Sequence, residues 1–119
     1  MTAQLTLDEF FKDFEDSRRI FDRLLTMIEE SSLVEMRITR SQIALVDKKP
    51  FAWAWIPTRY LKGKSAPLVL SVSFPEKDLS PRWKQIVEPA KGRFMHHLEL
   101  FLPADIDDEV RGWLARAQR

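Results

Sequence analysis

The sequence predicts a single α+β domain, residues 1–119, in which an antiparallel sheet of about five strands carries an N-terminal and a C-terminal helix, packed mainly on one face. Apolar residues recur every three or four positions at both ends of the chain, as they do along one face of a helix. Between the two ends they alternate with polar residues, as they do in a strand with one buried face. The short connections between these segments favour antiparallel pairing, and 119 residues suffice for one hydrophobic core.

The N-terminal helix is predicted to begin after Thr6, whose spacing from Glu9 is that of a capping box. Its apolar stripe consists of Phe10, Phe11, Phe14, Ile20, Phe21, Leu24, Leu25 and Ile28. The stripe changes phase near Asp16 and Ser17, which makes this pair a candidate second N-cap that divides the segment into a short helix and a longer one. The helix is expected to end near Glu30.

Strands are predicted at 34–38, 43–46, 51–56, 68–74 and 93–101. Residues 83–87 fit either a short strand or one helical turn. The segment 51–56 is apolar on both faces, which predicts a central strand. Pro103 introduces the C-terminal helix, and Asp105 is its expected N-cap, followed by acidic residues that complement the helix dipole.

An aromatic stripe lies on the third predicted strand. Phe51, Trp53 and Trp55 alternate along it and are therefore expected to share one face. For this stripe the sequence favours packing in the core, opposite the phenylalanine-rich first helix, over stacking against a ligand.

The composition excludes several classes of protein. There is no cysteine, so the chain has no disulfide scaffold, thiolate zinc site, iron–sulfur cluster or cysteine nucleophile. It also lacks the patterns of a P-loop, a dinucleotide-binding fold, an EF-hand and a serine hydrolase, and no cofactor is predicted. The first residues do not form a signal peptide and no apolar run is long enough to cross a bilayer, so a cytoplasmic protein without membrane attachment is expected.

The net charge of +1 conceals an uneven distribution. Residues 1–33 have a net charge of −4, residues 34–98 of +7 and residues 99–119 of −2. Two interpretations stay open. Either the acidic helices and the basic sheet region neutralise each other within the domain, or the sheet presents a basic rim to an anionic partner such as nucleic acid or a phosphorylated small molecule.

Six residues are candidates for an anion-binding rim: Arg37, Arg40, Arg59, Tyr60, Lys62 and Lys64. The last four form the densest basic stretch and follow two tryptophans, a combination of cations and flat rings that suits single-stranded nucleic acid. Arg37 and Arg40 belong to the first predicted hairpin with Ser41 and Gln42, where guanidinium groups and backbone donors would hold an anion. For both groups the alternative is a set of solvated surface charges.

His97 and Glu99 are the candidates for catalysis. Residues two apart on a strand point to the same face, so His97 and Glu99 can act together. Either His97 is a base and Glu99 its orienting carboxylate, or the two residues are two ligands of a metal ion. A third ligand is missing, since the chain has two histidines and no cysteine, and no metal is predicted. His96 points to the opposite face, next to Phe94 and Leu98, and is expected to be a hydrogen-bonded histidine of the core or its rim.

Five segments together resemble a family of small bacterial α+β domains of unknown function: 34–45, 51–55, 59–61, 92–100 and 107–113. Relatives in that family end in a strand that carries histidine or arginine, and then in a helix that begins with an acidic pair. The resemblance implies an α+β fold and a cytosolic bacterial protein, and it implies no activity. Because some relatives are modules appended to longer proteins, it favours a binding role.

Three functional hypotheses follow. The first is a non-enzymatic module that binds an anionic ligand at the basic rim, with Tyr60 and His97 supplying stacking or hydrogen bonds. The second is a small enzyme that uses His97 and Glu99, in a cleft with Arg93 or Arg37 nearby. The third is a structural homodimer formed through the exposed side of the aromatic strand.

Overall fold

The computed structural model describes residues 5–30, 34–59 and 65–119. In these residues it contains three α-helices: α1 (Leu7–Phe10), α2 (Glu15–Glu29) and α3 (Asp108–Gln118). It also contains six strands: β1 (Glu35–Ile38), β2 (Ile43–Asp47), β3 (Lys49–Trp55), β4 (Leu68–Phe74), β5 (Gln85–Ala90) and β6 (Arg93–Leu100). The strands form one antiparallel sheet in the order β1-β2-β3-β4-β6-β5, so the predicted α+β class with an antiparallel sheet is confirmed.

The predicted number of strands, about five, is too low by one. The additional strand is β5, which covers much of the segment that fitted a strand or a helical turn equally well. It lies at the edge of the sheet and pairs with β6 alone. Only Ile86 of β5 is partly buried and the other five residues are exposed, so the strand has almost no alternating pattern to reveal it.

The N-terminal helical segment is divided, as predicted, but earlier than predicted. The Thr6–Glu9 capping box is present: the Glu9 amide donates to Thr6 Oγ1 over 3.1 Å, and the Thr6 amide donates to Glu9 Oε1 over 3.0 Å. The break falls at Asp13, which adopts a positive φ of 69°. Ser17 is therefore inside α2 rather than at a cap, and its hydroxyl donates to the Pro67 carbonyl over 2.6 Å.

The three helices share one core with one face of the sheet, here called the helix face. The core cluster joins Phe10, Phe21 and Leu24 of the helical segment and Trp113 of α3 to residues of β1, β2, β3, β4 and β6, and Ile86 of β5 packs against it. On the central strands these residues are Ala52, Ala54, Leu68, Leu70, Val72, Leu98 and Leu100. Alternate strand residues point to one side, so the helices are placed over one face, and the small alanines of β3 let them approach closely.

Trp53 and Trp55 do not pack against the helices, so the prediction that the aromatic stripe belongs to the core holds only for Phe51. The pairing of β2 with β3 shifts between Leu45 and Val46, because Leu45 pairs with Ala52 and Val46 pairs with Pro50. Phe51 therefore has no paired residue on β2. Such a β-bulge turns the extra residue toward the same side as its neighbour. Phe51 is therefore buried on the helix face with Ala52, while Trp53 and Trp55 lie partly buried on the opposite face.

The N-cap of α3 is Asp107 and not, as predicted, Asp105. The Asp107 carboxylate accepts from the Val110 amide over 3.1 Å and also receives Arg82 Nη1 at 3.0 Å. Asp105 ends a 3-10 turn that begins at Pro103, and its carboxylate accepts from the backbone amides that precede the turn. Among the described residues, no helix is both long enough and apolar enough to span a bilayer.

Candidate functional site

The second face of the sheet is here called the open face, because none of the helices in the described residues packs on it. One row of residues crosses it through all six strands, each the Cα partner of the next: Arg37, Ala44, Trp53, Ser71, His97 and Gln85. Paired residues of antiparallel strands project to the same side. The register therefore places a cation, a tryptophan and a histidine in line, separated by small residues.

A chain of hydrogen bonds joins the middle of the row to Trp55. The Trp55 indole Nε1–H donates to Ser71 Oγ over 3.0 Å, and Ser71 Oγ lies 2.6 Å from His97 Nδ1. An indole nitrogen is a donor only, so the serine oxygen accepts from Trp55. The hydroxyl still has one proton and one lone pair, so it can donate to Nδ1 or accept from Nδ1–H, and the contact fits either tautomer of the ring.

Burial lowers the pKa of His97 below its ordinary value, and the neighbouring His96 adds to the effect. The imidazole is therefore neutral near pH 7. A neutral ring with Nδ1 engaged by Ser71 contributes a second nitrogen that can hydrogen-bond and a flat edge to this face, rather than a positive charge.

His96 has a different environment on the helix face. It is completely buried, its Nε2 accepts from the Asp78 amide over 2.9 Å, and its Nδ1 lies 3.1 Å from the Phe94 carbonyl. A backbone amide only donates and a carbonyl only accepts, so the proton is on Nδ1. Burial lowers the pKa of His96 as well. The expectation of a hydrogen-bonded core histidine is confirmed.

An open cavity of about 490 Å³ lies above this row. It is lined by Ser41, Gln42, Trp53, Trp55, Ser71, Arg93, Met95 and His97. The Arg93 guanidinium lies 5.8 Å from the centre of the Trp53 ring, and the Trp55 and His97 rings meet edge to face at 6.3 Å. Arg93 is the one ionised group among these lining residues. The cavity thus combines flat apolar surface, neutral hydrogen-bonding groups and one positive charge.

A family model described as a domain of unknown function (DUF5655) matches residues 7–118. The chain belongs to this family. The match includes all the described strands and every residue that lines the cavity, and it confirms the resemblance to a family of unknown function. No curated protein and no solved structure matches the chain.

In this DUF5655 domain, Glu99 shares the open face with His97 but is not its hydrogen-bond partner. The carboxylate of Glu99 lies 3.4 Å from Lys84 Nζ, whereas His97 Nδ1 is engaged by Ser71. The sequence predicted that Glu99 orients His97 as a base, but in the structure the two side chains have different partners. Among the described residues, no group of three or more histidines and carboxylates is placed to hold a metal ion.

Arg59, a candidate for the basic rim, is occupied by contacts within the domain. Its guanidinium donates to the Arg40 carbonyl over 3.1 Å and to the Phe10 carbonyl. It also lies over the rings of Phe10 and Phe14, at 4.6 and 4.8 Å from their centres. Arg59 thereby connects the N-terminal helical segment to the β1–β2 hairpin.

The other rim candidates divide into two groups. Arg37 and Arg40 are exposed, on β1 and in the β1–β2 hairpin, beside the Ser41 and Gln42 that line the cavity. Tyr60, Lys62 and Lys64 lie outside the described residues.

Sequence reasoning missed Ser71 and Met95, and it named Arg93 only as a residue that could lie near His97 and Glu99. Ser71 is one of two serines in an apolar strand, and nothing in its sequence neighbourhood distinguishes it. Arg93, Met95, His97 and Glu99 are each two residues apart on β6. The period of two that places His97 and Glu99 on one face therefore places Arg93 and Met95 on the same face. The period alone does not show that Trp53 of β3 lies beneath the Arg93 guanidinium.

Proposed function

We propose that this domain is a non-enzymatic binding module, and that its open face binds an anionic ligand that carries a planar ring. A nucleotide, free or as part of a nucleic acid, has this chemistry. The observation that carries the proposal is the pair of partly buried tryptophans, Trp53 and Trp55, in one cavity with Arg93.

The distribution of side chains on β3 supports a role for the tryptophans beyond folding. The alanines 52 and 54 are completely buried on the helix face, while Trp53 and Trp55 occupy the open face. A strand selected only for stability would place its large apolar residues in the core, because burial of an aromatic side chain contributes more than burial of an alanine. Exposed indole faces are typical of surfaces that stack against bases or other flat ligands.

The charges around the cavity favour an anion. Arg93 lines the cavity, and the exposed Arg37 and Arg40 belong to the hairpin and strand on its other side. The carboxylate nearest on β6, Glu99, is paired with Lys84. Arginine over an aromatic ring also contacts a ligand in two ways, through charge and through its flat face.

Three titrations monitored by tryptophan fluorescence test the proposal: AMP, adenosine and inorganic phosphate. AMP offers both a ring and a charge, and we expect it to quench the fluorescence with saturation, at lower concentration than adenosine or phosphate. Trp53→Ala and Arg93→Ala should each weaken AMP binding about tenfold or more, since one stacked base is worth about 1–3 kcal/mol.

Lys91→Ala is the matched control, because it removes the same charge as Arg93→Ala from an exposed residue in the same β5–β6 hairpin. Its affinity for AMP should equal that of the wild type. Equal affinity of the wild type for AMP, adenosine and phosphate, or no saturable binding of any of them, would refute the proposal.

One observation favours a second candidate, an enzyme that uses His97. The 2.6 Å contact between Ser71 Oγ and His97 Nδ1 has the geometry of a nucleophile beside a base. Two features weigh against it. Ser71 is only 4% exposed, and its oxygen already accepts a hydrogen bond from Trp55. Hydrolysis of activated esters that His97→Gln and Ser71→Ala both abolish would favour the enzyme over the binding module.

A further inference from the structure

We infer that the ligand of the open face is a single strand of nucleic acid that crosses the strands of the sheet. This inference rests on the proposed function and narrows it from any nucleotide to a short polymer. Three features of the open face carry it: the length of the row, the spacing of the two tryptophans, and the placement of the cations.

The row from Arg37 to Gln85 crosses five inter-strand gaps, a distance of about 24 Å at about 4.8 Å for each gap. Its large members, Trp53 and His97, alternate with the small Ala44 and Ser71. The surface therefore has rings that project and depressions between them, in a line much longer than one nucleotide. A mononucleotide would cover only part of it.

The two tryptophans are spaced for separate bases. Trp53 and Trp55 are two residues apart on β3, so their Cα atoms are about 7 Å apart, about twice the 3.4 Å rise between stacked bases. This spacing runs along β3 and therefore across the row, so Trp53 receives a base on the row and Trp55 receives a second base beside it. Sheets that bind RNA through exposed aromatic residues stack about two or three bases in this way, and His97 adds a third ring near Trp55.

Two cations accompany these rings. Arg37 is on β1 and Arg93 is on β6, and these strands are four gaps apart, or about 19 Å across the sheet. The Arg93 guanidinium reaches back to 5.8 Å from the centre of the Trp53 ring, while Arg37 is on a strand two gaps away on the other side of Trp53. A strand with several phosphates can contact both cations while a base stacks at the rings. Of the carboxylates on this face, Glu99 is paired with Lys84, and Glu35 lies on the edge strand two residues from Arg37.

A length series tests the inference. Binding of AMP and of oligoadenylates of two, four and eight nucleotides, together with the DNA tetramer dA₄ and a duplex, is measured by tryptophan fluorescence over a range of salt concentrations. We expect the affinity to rise at least tenfold from AMP to the tetramer and the duplex to bind more weakly than the single strand. Tighter binding of the RNA or of the DNA tetramer would identify the source of the strand, and equal binding supports the inference as well.

Two arginine variants locate the strand. Each phosphate contact contributes about 0.7 to the slope of log affinity against log salt for a single strand. For the tetramer, Arg37→Ala and Arg93→Ala should each lower the slope by about that amount. For AMP, Arg93→Ala should weaken binding more than Arg37→Ala does, because Arg93 lines the cavity and Arg37 does not. Lys91→Ala should leave both unchanged.

The outcomes separate this inference from the proposed function. If AMP binds as tightly as the tetramer and Arg37→Ala has no effect on either, the strand is refuted and the nucleotide site remains. If neither AMP nor any oligonucleotide binds, both are refuted. A concentration-dependent dimer in sedimentation that Trp53→Ala dissociates, with no nucleotide binding, would assign the open face to self-association and would also refute both.

Discussion

The two faces of the sheet differ in how their side chains are buried and hydrogen-bonded, and the adjacent histidines of β6 show this difference. On the helix face, His96 is completely buried and both of its ring nitrogens are bonded to backbone groups. On the open face, His97 is partly exposed, and the partner of its Nδ1 is the side chain of Ser71. Both nitrogens of His96 are therefore held by backbone groups, whereas the contact that holds His97 is made by a side chain at one nitrogen.

The same contrast extends to the apolar residues. The helix face is closed by aliphatic and phenylalanine side chains packed against three helices, and its aromatic residues contact one another, as Trp83 and Trp113 do at 4.1 Å between ring centres. On the open face the aromatic residues border a cavity. We therefore propose that Trp53 and Trp55, unlike Phe51 in the core, serve binding more than stability. Substitutions on the two faces should therefore separate the two properties.

The largest expected effect comes from a truncation on the helix face. Leu70 is completely buried in the core between the central strands and the helices. Leu70→Ala should lower the free energy of unfolding by about 2–5 kcal/mol, because it removes buried apolar contacts and leaves a cavity. Trp53→Ala, on the neighbouring strand but the opposite face, should cost about 1–2 kcal/mol, since the indole is only partly buried.

Urea denaturation gives both values. If the two faces are distinct, the folded Leu70→Ala protein keeps its affinity for AMP while Trp53→Ala loses it. A Trp53→Ala variant as unstable as Leu70→Ala would mean that the indole is a core residue, and the contrast between the faces would not hold.

The second effect concerns Arg59, which the sequence grouped with the ligand-binding cations. Its guanidinium donates to the carbonyls of Phe10 and Arg40 and lies over two phenylalanine rings. Arg59→Ala should therefore destabilise the fold by about 1–3 kcal/mol, the range for hydrogen bonds to a charged group. Arg40→Ala, which removes an exposed side chain of the same charge, should change stability by about 0.5 kcal/mol or less. Thermal unfolding of the two variants checks this, and equal stability would contradict the structural role of Arg59.

Much of the helix face could be predicted from the sequence because its signal is periodic. The spacing of apolar residues in the N-terminal segment and their alternation in β1, β4 and β6 follow directly from burial on one side. Edge strand β5 has little buried surface and therefore little pattern. The orientation of Trp53 and Trp55 depended on the bulge at Phe51 and on which face the helices cover, and neither is a local property of the sequence.

The candidate site was predicted only in part, for a related reason. His97 was found because histidine is chemically distinctive, but its partner Ser71 is 26 residues away and becomes a neighbour only through the register of β4 and β6. In the same way, the density of positive charge near Arg59 could not reveal that its guanidinium bonds to carbonyls of other segments. The composition shows which charged residues are present, and only the tertiary structure shows which of them already have partners within the domain.

The third prediction is an acid-induced loss of stability that begins with the histidines. The pKa of His96 is lowered by burial in the folded state, so the unfolded chain binds protons more readily. Stability should therefore be constant above the unfolded pKa of about 6.5 and fall as the pH decreases below it. Protonation would also place an N–H of His96 against the Asp78 amide, which is a donor.

Melting temperatures measured between pH 8 and pH 5 test this, with His96→Gln and His97→Gln as a matched pair. His96→Gln should flatten the pH dependence more than His97→Gln does, because His96 is the more deeply buried of the two. A wild-type melting temperature that does not change from pH 7 to pH 5 would contradict the assignment of His96 as a neutral core residue.

At lower pH, protonation of Asp78 should add to the loss of stability. Burial raises the pKa of this carboxyl, but hydrogen bonds from Trp83, Ser80 and Arg116 outweigh that effect and hold it below its usual value.

The smallest expected effect comes from Ser71→Ala, which removes one oxygen from the open face. The Trp55 indole loses its acceptor and His97 Nδ1 loses its partner, and we expect a cost of about 0.5–1.5 kcal/mol in stability.

The sharper readout of Ser71→Ala is the pKa of His97. Burial is the main cause of the lowered pKa of His97, so the space that the serine leaves for water should raise this pKa toward its ordinary value. NMR titration of the two imidazoles measures this directly, and His96, held by backbone groups on the other face, supplies the internal control. A shift at His96 equal to that at His97 would show that the two faces are coupled; a shift at His97 alone would show that the chain Trp55–Ser71–His97 sets the protonation of the open face independently of the core.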